Sequence, residues 1–170
     1  MPDKSDKKSG RKHYQVMDEQ ITNAMDLKVK NSSPTALCSS SSGNLAFIAY
    51  TDDSLRMIDV RSPDSEIILK TGGHTGMVKT IYVSQDESLL FTGGSDGTVR
   101  LWDIGMHSVV ATFGQSKQSR GNFSSMGFHS DTINTMISAD NNRGLNILSG
   151  SRDGSICHLD ILSQRSSKVF

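Results

Sequence analysis

The chain has 170 residues with 18 basic and 18 acidic side chains, so its formal charge is zero, and 35% of it is apolar. That composition fits one globular domain or part of one, and it gives no general electrostatic attraction to nucleic acid or an anionic membrane. No apolar run approaches the roughly 20 residues of a membrane-spanning helix, and residues 1 to 15 are charged where a signal peptide needs an apolar stretch. An intracellular setting, cytoplasm or nucleus, is therefore expected. Cys38 and Cys157 stand far apart without a CxxC pair, which argues for two reduced strand cysteines and against a disulfide framework or a zinc site.

Residues 1 to 14 open with MPDKSDKKSGRK, five Lys/Arg against two Asp and no large apolar group, and read as a disordered basic tail. Residues 15 to 32 form a linker or the outer strand of a preceding unit. From residue 33 the pattern becomes short β-type runs, LAFIAY, MVKTIYV, LLFTGG, TVRLWDI and VVATF, separated by Ser/Asp/Gly/Asn turn clusters. No segment keeps an apolar 3.6 period with caps, so the chain is predicted to be all-β.

Self-comparison is more informative. LLFTGGSDGTVRLWDI (89–104) aligns without gaps on LAFIAYTDDSLRMIDV (45–60), at an offset of 44 residues from Asp52 to Asp96, and on NILSGSRDGSICHLDI (146–161), at an offset of 57 from Asp96 to Asp153. Three copies of one unit follow, over 33–72, 73–113 and 129–162, with an extended loop at 114–128 and a tail or the start of a further strand at 163–170. In the central copy the strands are expected at about 77–83, 89–94, 98–103 and 108–113. A four-stranded meander of this length is one propeller blade. The tight turns SDG and RDG carry glycine where positive φ is cheap, and their Asp can accept backbone N–H groups just ahead; DDS lacks the glycine.

From GGHTGMVKT through TGGSDGTVRLWDI the central copy resembles a WD repeat, with His74, Thr92, Asp96, Trp102 and Asp103 at that family's spacings. The resemblance implies that His74, Thr92, Asp96 and Trp102 form a buried hydrogen-bonded set. Burying any of these polar groups alone is costly, and together they can satisfy one another. The third copy keeps His129, Ser149 and Asp153 but has Leu159 for the Trp and two extra residues in its 138–145 hairpin. The first keeps only Asp52, with Lys30, Ile48 and Ile58 elsewhere, and is expected to rely on apolar packing alone. The implied fold is a partial β-propeller of three four-stranded antiparallel blades, part of a ring of about seven or eight. An arc of three would leave two apolar faces in water, so completion by blades of another chain, of a longer parent or of a second copy is expected.

A narrower resemblance, through SDGTVRLWDI, VVATF and GSRDGSICHLDI, is to the WD-repeat proteins that activate ubiquitin-specific deubiquitinases. It implies partner contacts at Lys79 and Arg152, while Asn134 stands where that subfamily has an aromatic. Ser95, in the central hairpin, and loop 114–128 join these as contact candidates, since recognition is often carried by loops on rigid scaffolds.

Enzymatic readings are poorer. The Ser, His and Asp of these repeats invite a hydrolase, yet no G-x-S-x-G elbow occurs and the trio recurs at blade spacing, as a structural device would. TGGHTG and TGGSDG lack the GK[ST] of a phosphate loop, and His13, His107 and His158 stand singly without metal-ligand spacing. The sequence thus predicts a non-enzymatic protein-interaction scaffold without cofactor or metal. The alternatives are a deubiquitinase regulatory subunit, and an RNA-associated assembly factor for which the basic tail speaks.

Overall fold

The computed structural model describes residues 31–69, 73–114, 128–141, 143–163 and 165–170. The basic tail 1–14, Lys30 with nearly all of the 15–32 segment, and the interior of the 114–128 loop lie outside the described residues.

Twelve strands form three sheets of four. The first holds β1 (Pro34–Ser39), β2 (Leu45–Tyr50), β3 (Leu55–Asp59) and β4 (Ser62–Leu69). The second holds β5 (Val78–Val83), β6 (Leu89–Gly94), β7 (Val99–Asp103) and β8 (Ser108–Phe113). The third holds β9 (Ile133–Ser138), β10 (Asn146–Ser151), β11 (Ile156–Asp160) and β12 (Arg165–Lys168). Each sheet is an antiparallel meander in chain order, and the sheets meet through their first strands, β1 against β5 and β5 against β9. Three blades of a β-propeller therefore stand side by side, with β1, β5 and β9 innermost. Among the described residues there is no helix.

The outer strand of the third blade is β12, paired with β11 from Cys157↔Lys168 to Asp160↔Arg165, so the segment 163–170, expected as a tail or the start of a further strand, holds that strand. The reason is local: the Asp160 carboxylate accepts the Ser163 N–H and turns the chain back at once. ILSQRSSK has too few apolar residues to announce a strand.

Each blade is buried on both faces only where it has a neighbour. Period-two alternation sends Phe47, Ala49, Leu55 and Met57 of blade one toward Leu90 and Trp102 of blade two. Phe91, Val99 and Leu101 leave the opposite face of blade two toward Ile133, Ile147, Cys157 and Leu159 of blade three. At the ends the same alternation leaves apolar side chains in water. Leu37 lies between Ala36 and Cys38, both of which pack toward blade two, and it is 71% exposed; Ile68 beside Leu69 is 52% exposed. On the far face of blade three Ile137 is 58% and Ile156 40% exposed. Two open faces of this kind favour association. Light scattering on the protein alone should give a mean mass above the 18.5 kDa of one chain, and Leu37→Asp with Ile137→Asp should bring it down toward that value. A monodisperse wild-type monomer would contradict the prediction.

Blade one does not rest on apolar packing alone. Ser33 donates its N–H to Thr51 Oγ1 at 3.0 Å, and Asp52 donates its N–H to Ser32 Oγ at 3.2 Å, which pins the incoming loop to the hairpin. Arg56 pairs with Glu66 and lies 5.0 Å from the Tyr50 ring centre. Short hydroxyl and guanidinium contacts here replace an imidazole, and no single residue type in the sequence signals them.

Candidate functional site: braced hairpins and one blade edge

The braces start from the β-hairpin turns. In all three blades an Asp accepts the backbone N–H two residues on: Asp52 from Ser54 at 3.1 Å, Asp96 from Thr98 at 3.1 Å and Asp153 from Ser155 at 2.9 Å. The residue between is left-handed, Gly97 at φ 73° and Gly154 at 82°; in blade one Asp53 adopts 62°, a conformation Asp tolerates better than most side chains.

Blade two extends this turn into a relay. Trp102 Nε1–H donates to Thr92 Oγ1 at 2.9 Å, Thr92 Oγ1 lies 2.8 Å from His74 Nε2, and His74 Nδ1 lies 2.9 Å from Asp96 Oδ1. With the imidazole proton on Nδ1 every group is satisfied: Thr92 donates to Nε2 and Nδ1–H donates to Asp96. Asp96 also accepts the Thr75 N–H at 2.9 Å and the Thr98 hydroxyl at 2.8 Å. Burial resists its ionisation, but the hydrogen bonds from His74, Thr75 and Thr98 outweigh it and hold the carboxyl well below the usual range. Gly94 is required here, because a Cβ would come within 2.4 Å of His74 Nδ1. Thus His74, Thr92, Asp96 and Trp102 lie together.

Blade three brings His129, Ser149 and Asp153 together by a different route. His129 Nε2 lies 2.8 Å from Ser149 Oγ, but Nδ1 is 3.7 Å from Asp153 and 2.7 Å from Ser155 Oγ, whose hydroxyl donates to Asp153. Ser155 thus relays between imidazole and carboxylate. Asp153 also accepts the Ser130 N–H at 2.7 Å; this bond and the Ser155 hydroxyl hold its carboxyl low. Burial pushes the His129 pKa below its usual 6.5, and the Asp153 charge pulls the other way without winning.

Sequence reasoning missed Arg100. It is buried, with its guanidinium 4.0 Å from Asp96 and donating to Thr112 Oγ1 at 3.4 Å. The signal was present, since Arg56 and Arg100 occupy the same repeat position; blade three places Cys157 there, 3.7 Å from His129 Nδ1. Thr92, Ser149 and Ser155 turn hydroxyls to the two imidazoles and are each at 2% exposure or less, so these hydroxyls are not offered to a substrate.

The contact candidates share one edge of the blades. Val78 pairs with Gly94 but Thr80 with Gly93, leaving Lys79 as the extra residue of a β-bulge; Ile133↔Ser151 and Thr135↔Gly150 leave Asn134 in the same position one blade on. Bulges re-aim side chains out of the ladder, and both residues are exposed. Thr35 is the matching residue of blade one. Arg152 and Ser95 head equivalent hairpins, held by Arg152 N–H to Thr132 O at 2.8 Å and Ser95 N–H to Met77 O at 2.9 Å. The Arg152 side chain is 75% exposed, with Nε 3.8 Å from Asp131 Oδ2, whereas Ser95 is half-buried against Gly76.

Comparison with known proteins bears on the fold. Residues 65–103 match the family WD domain, G-beta repeat (WD40). The chain is 40% identical over 77 residues to the nuclear distribution protein PAC1 of Arthroderma otae, covering 44% of this chain and 16% of that protein. It is 24% identical over 128 residues to a CCR4-associated factor 4 homolog of Vanderwaltozyma polyspora, covering 75% of this chain and 19% of that protein. It is 59% identical over 32 residues to the small ribosomal subunit protein RACK1z of Arabidopsis thaliana, covering 19% of this chain and 10% of that protein. Among solved structures, the WD40 repeats of RRP9 superpose with a TM-score of 0.66 at 20% identity, covering 85% of this chain and 40% of that one. The chain therefore spans under a fifth of these curated relatives and two fifths of that propeller.

Two stability outcomes follow. Trp102→Ala or Asp96→Ala should cost about 2 to 4 kcal/mol in chemical denaturation and Ser95→Ala under about 1, because only the first two open the brace. Protonating His129 must break its neutral relay. The stability it supports is therefore held above the unfolded imidazole's pKa, about 6.5, and lost as pH falls below it. Melting temperatures from pH 7.5 to 5.5 should accordingly fall more steeply for the wild type than for His129→Gln.

Proposed function

We propose that this chain, whose residues 65–103 match the WD repeat model and which folds as three propeller blades, is a non-enzymatic scaffold binding another protein along one blade edge. The observation that carries this reading is the repetition of one presenting geometry. Lys79 and Asn134 occupy the same bulge in successive inner strands, and Arg152 heads the hairpin beside them. Sheets braced by buried relays form a stiff platform, so the exposed groups lose little freedom on binding. Lys79 and Arg152 add two positive charges, and Arg152 suits bidentate contact with a carboxylate. The surface therefore fits an acidic segment. Burial of the hydroxyls in both braces supports a structural and not a catalytic role for them.

The experiment is affinity capture with the full chain against Lys79→Glu/Arg152→Glu. Loss of the main captured partner by about tenfold, about 1.4 kcal/mol, with an unchanged melting temperature supports the reading. Undiminished capture refutes it. Enrichment of ubiquitin-specific proteases that depends on Arg152 would assign the narrower regulatory role to Lys79 and Arg152. Retention on RNA that fades with salt and with removal of residues 1 to 12 would instead favour the assembly-factor reading, toward which the ribosomal name of one relative also leans.

A further inference from the structure

The repeat that builds the arc also defines what its two open faces fit. Leu37, Ile81 and Met136 pair with Ile48, Thr92 and Ser149, and so occupy one ladder position in successive blades. Ile81 packs into the contact with blade one and Met136, buried, into the contact with blade two. This position therefore receives the preceding blade. In blade one Leu37 stands there exposed.

The opposite face repeats in the same way. Cys38, Tyr82 and Ile137 pair with Phe47, Phe91 and Leu148, and Leu55, Val99 and Ile156 pair with Ala49, Gly93 and Gly150. Leu55 and Val99 are fully buried against the following blade, whereas Ile137 and Ile156 are exposed. Val169, which donates its N–H to the Ile156 carbonyl at 2.8 Å, adds a third exposed apolar group. Blade three thus keeps the surface by which each blade holds the next, and blade one keeps the surface by which each is held.

Charge does not oppose closing one surface on the other. Arg56, on the same face of blade one as Ile48 and Leu37, is paired with Glu66. His158, on the same face of blade three as Leu148, has Nε2 3.0 Å from Asn146 Oδ1. Each of these groups already has a partner, which its burial requires.

From this repetition we propose that the open face of blade three receives the open face of blade one of a second copy of this chain, head to tail. The contact continues the two blade interfaces inside the chain, and it is heterologous, since each copy contributes a different face. The arc matches 40% of the solved RRP9 chain, so two copies take about four fifths of such a ring and the remainder is too narrow for a third. Growth therefore stops at two copies. This goes beyond the scaffold reading, which uses a blade edge and holds for one copy or two.

The test is sedimentation equilibrium on the full chain and on two single variants. The wild type should give twice the 18.5 kDa of one chain. Leu37→Asp and Ile137→Asp each spoil one face, so neither should associate with itself. Mixed in equal amounts they should recover the doubled mass, because the intact blade-three face of the first meets the intact blade-one face of the second. Ile68→Asp and Ile156→Asp lie on the same two faces and repeat the cross should either first variant fail to fold. A monomeric wild type, a single variant that remains dimeric through like faces, or a monomeric mixture in both crosses would overturn the proposal.

Discussion

A carboxylate at a hairpin turn fastens two pieces of chain that are far apart in sequence. Asp96 holds His74 and Thr75, over twenty positions earlier, against a turn it also shapes through Thr98. Asp153 does the same for Ser130 directly and for His129 through Ser155. Blades two and three are closed by this link, because four short strands bury their faces only if the loop between blades is held where the next inner strand must begin; blade one holds its loop through Ser32, Ser33 and Thr51 instead. Burial and hydrogen bonding act in series: the imidazole cannot be enclosed without its partners, and the partners could not stay dry without it.

The repeat period, the three Asp turns and the set around His74 were legible in the sequence because each rests on residue types at fixed spacing. Strand positions in blade two agree with the alternation to within a residue. What escaped was carried by geometry without a composition signal. The bulges at Lys79 and Asn134 arise from how inner strands meet the next hairpin. Ser155 acts as a relay only because His129 sits farther from its carboxylate than His74 does from Asp96. β12 is polar and short, so a turn at Asp160 places it and not its own residues. Arg100 was marked in the sequence only by the repeat position it shares with Arg56, and the structure buries it.

The two blade edges differ in construction. One presents bulge residues and a hairpin guanidinium from a regular framework; the other depends on a longer hairpin organised by Asp140 and seated through Gly144. Strands of five or six residues separate them by roughly 20 Å, too far for one short peptide to touch both in a single turn. Regular repeats thus supply stiffness, and a departure from the repeat supplies distinction between otherwise similar blades.

The uncovered faces at Leu37 and Ile137 give the arc an economy of numbers. A sheet that is finished only by its neighbour is stabilised in proportion to how much of that neighbour is at hand, by mass action alone. Burial of these side chains against a further apolar surface would add stability that rises with the concentration of that surface.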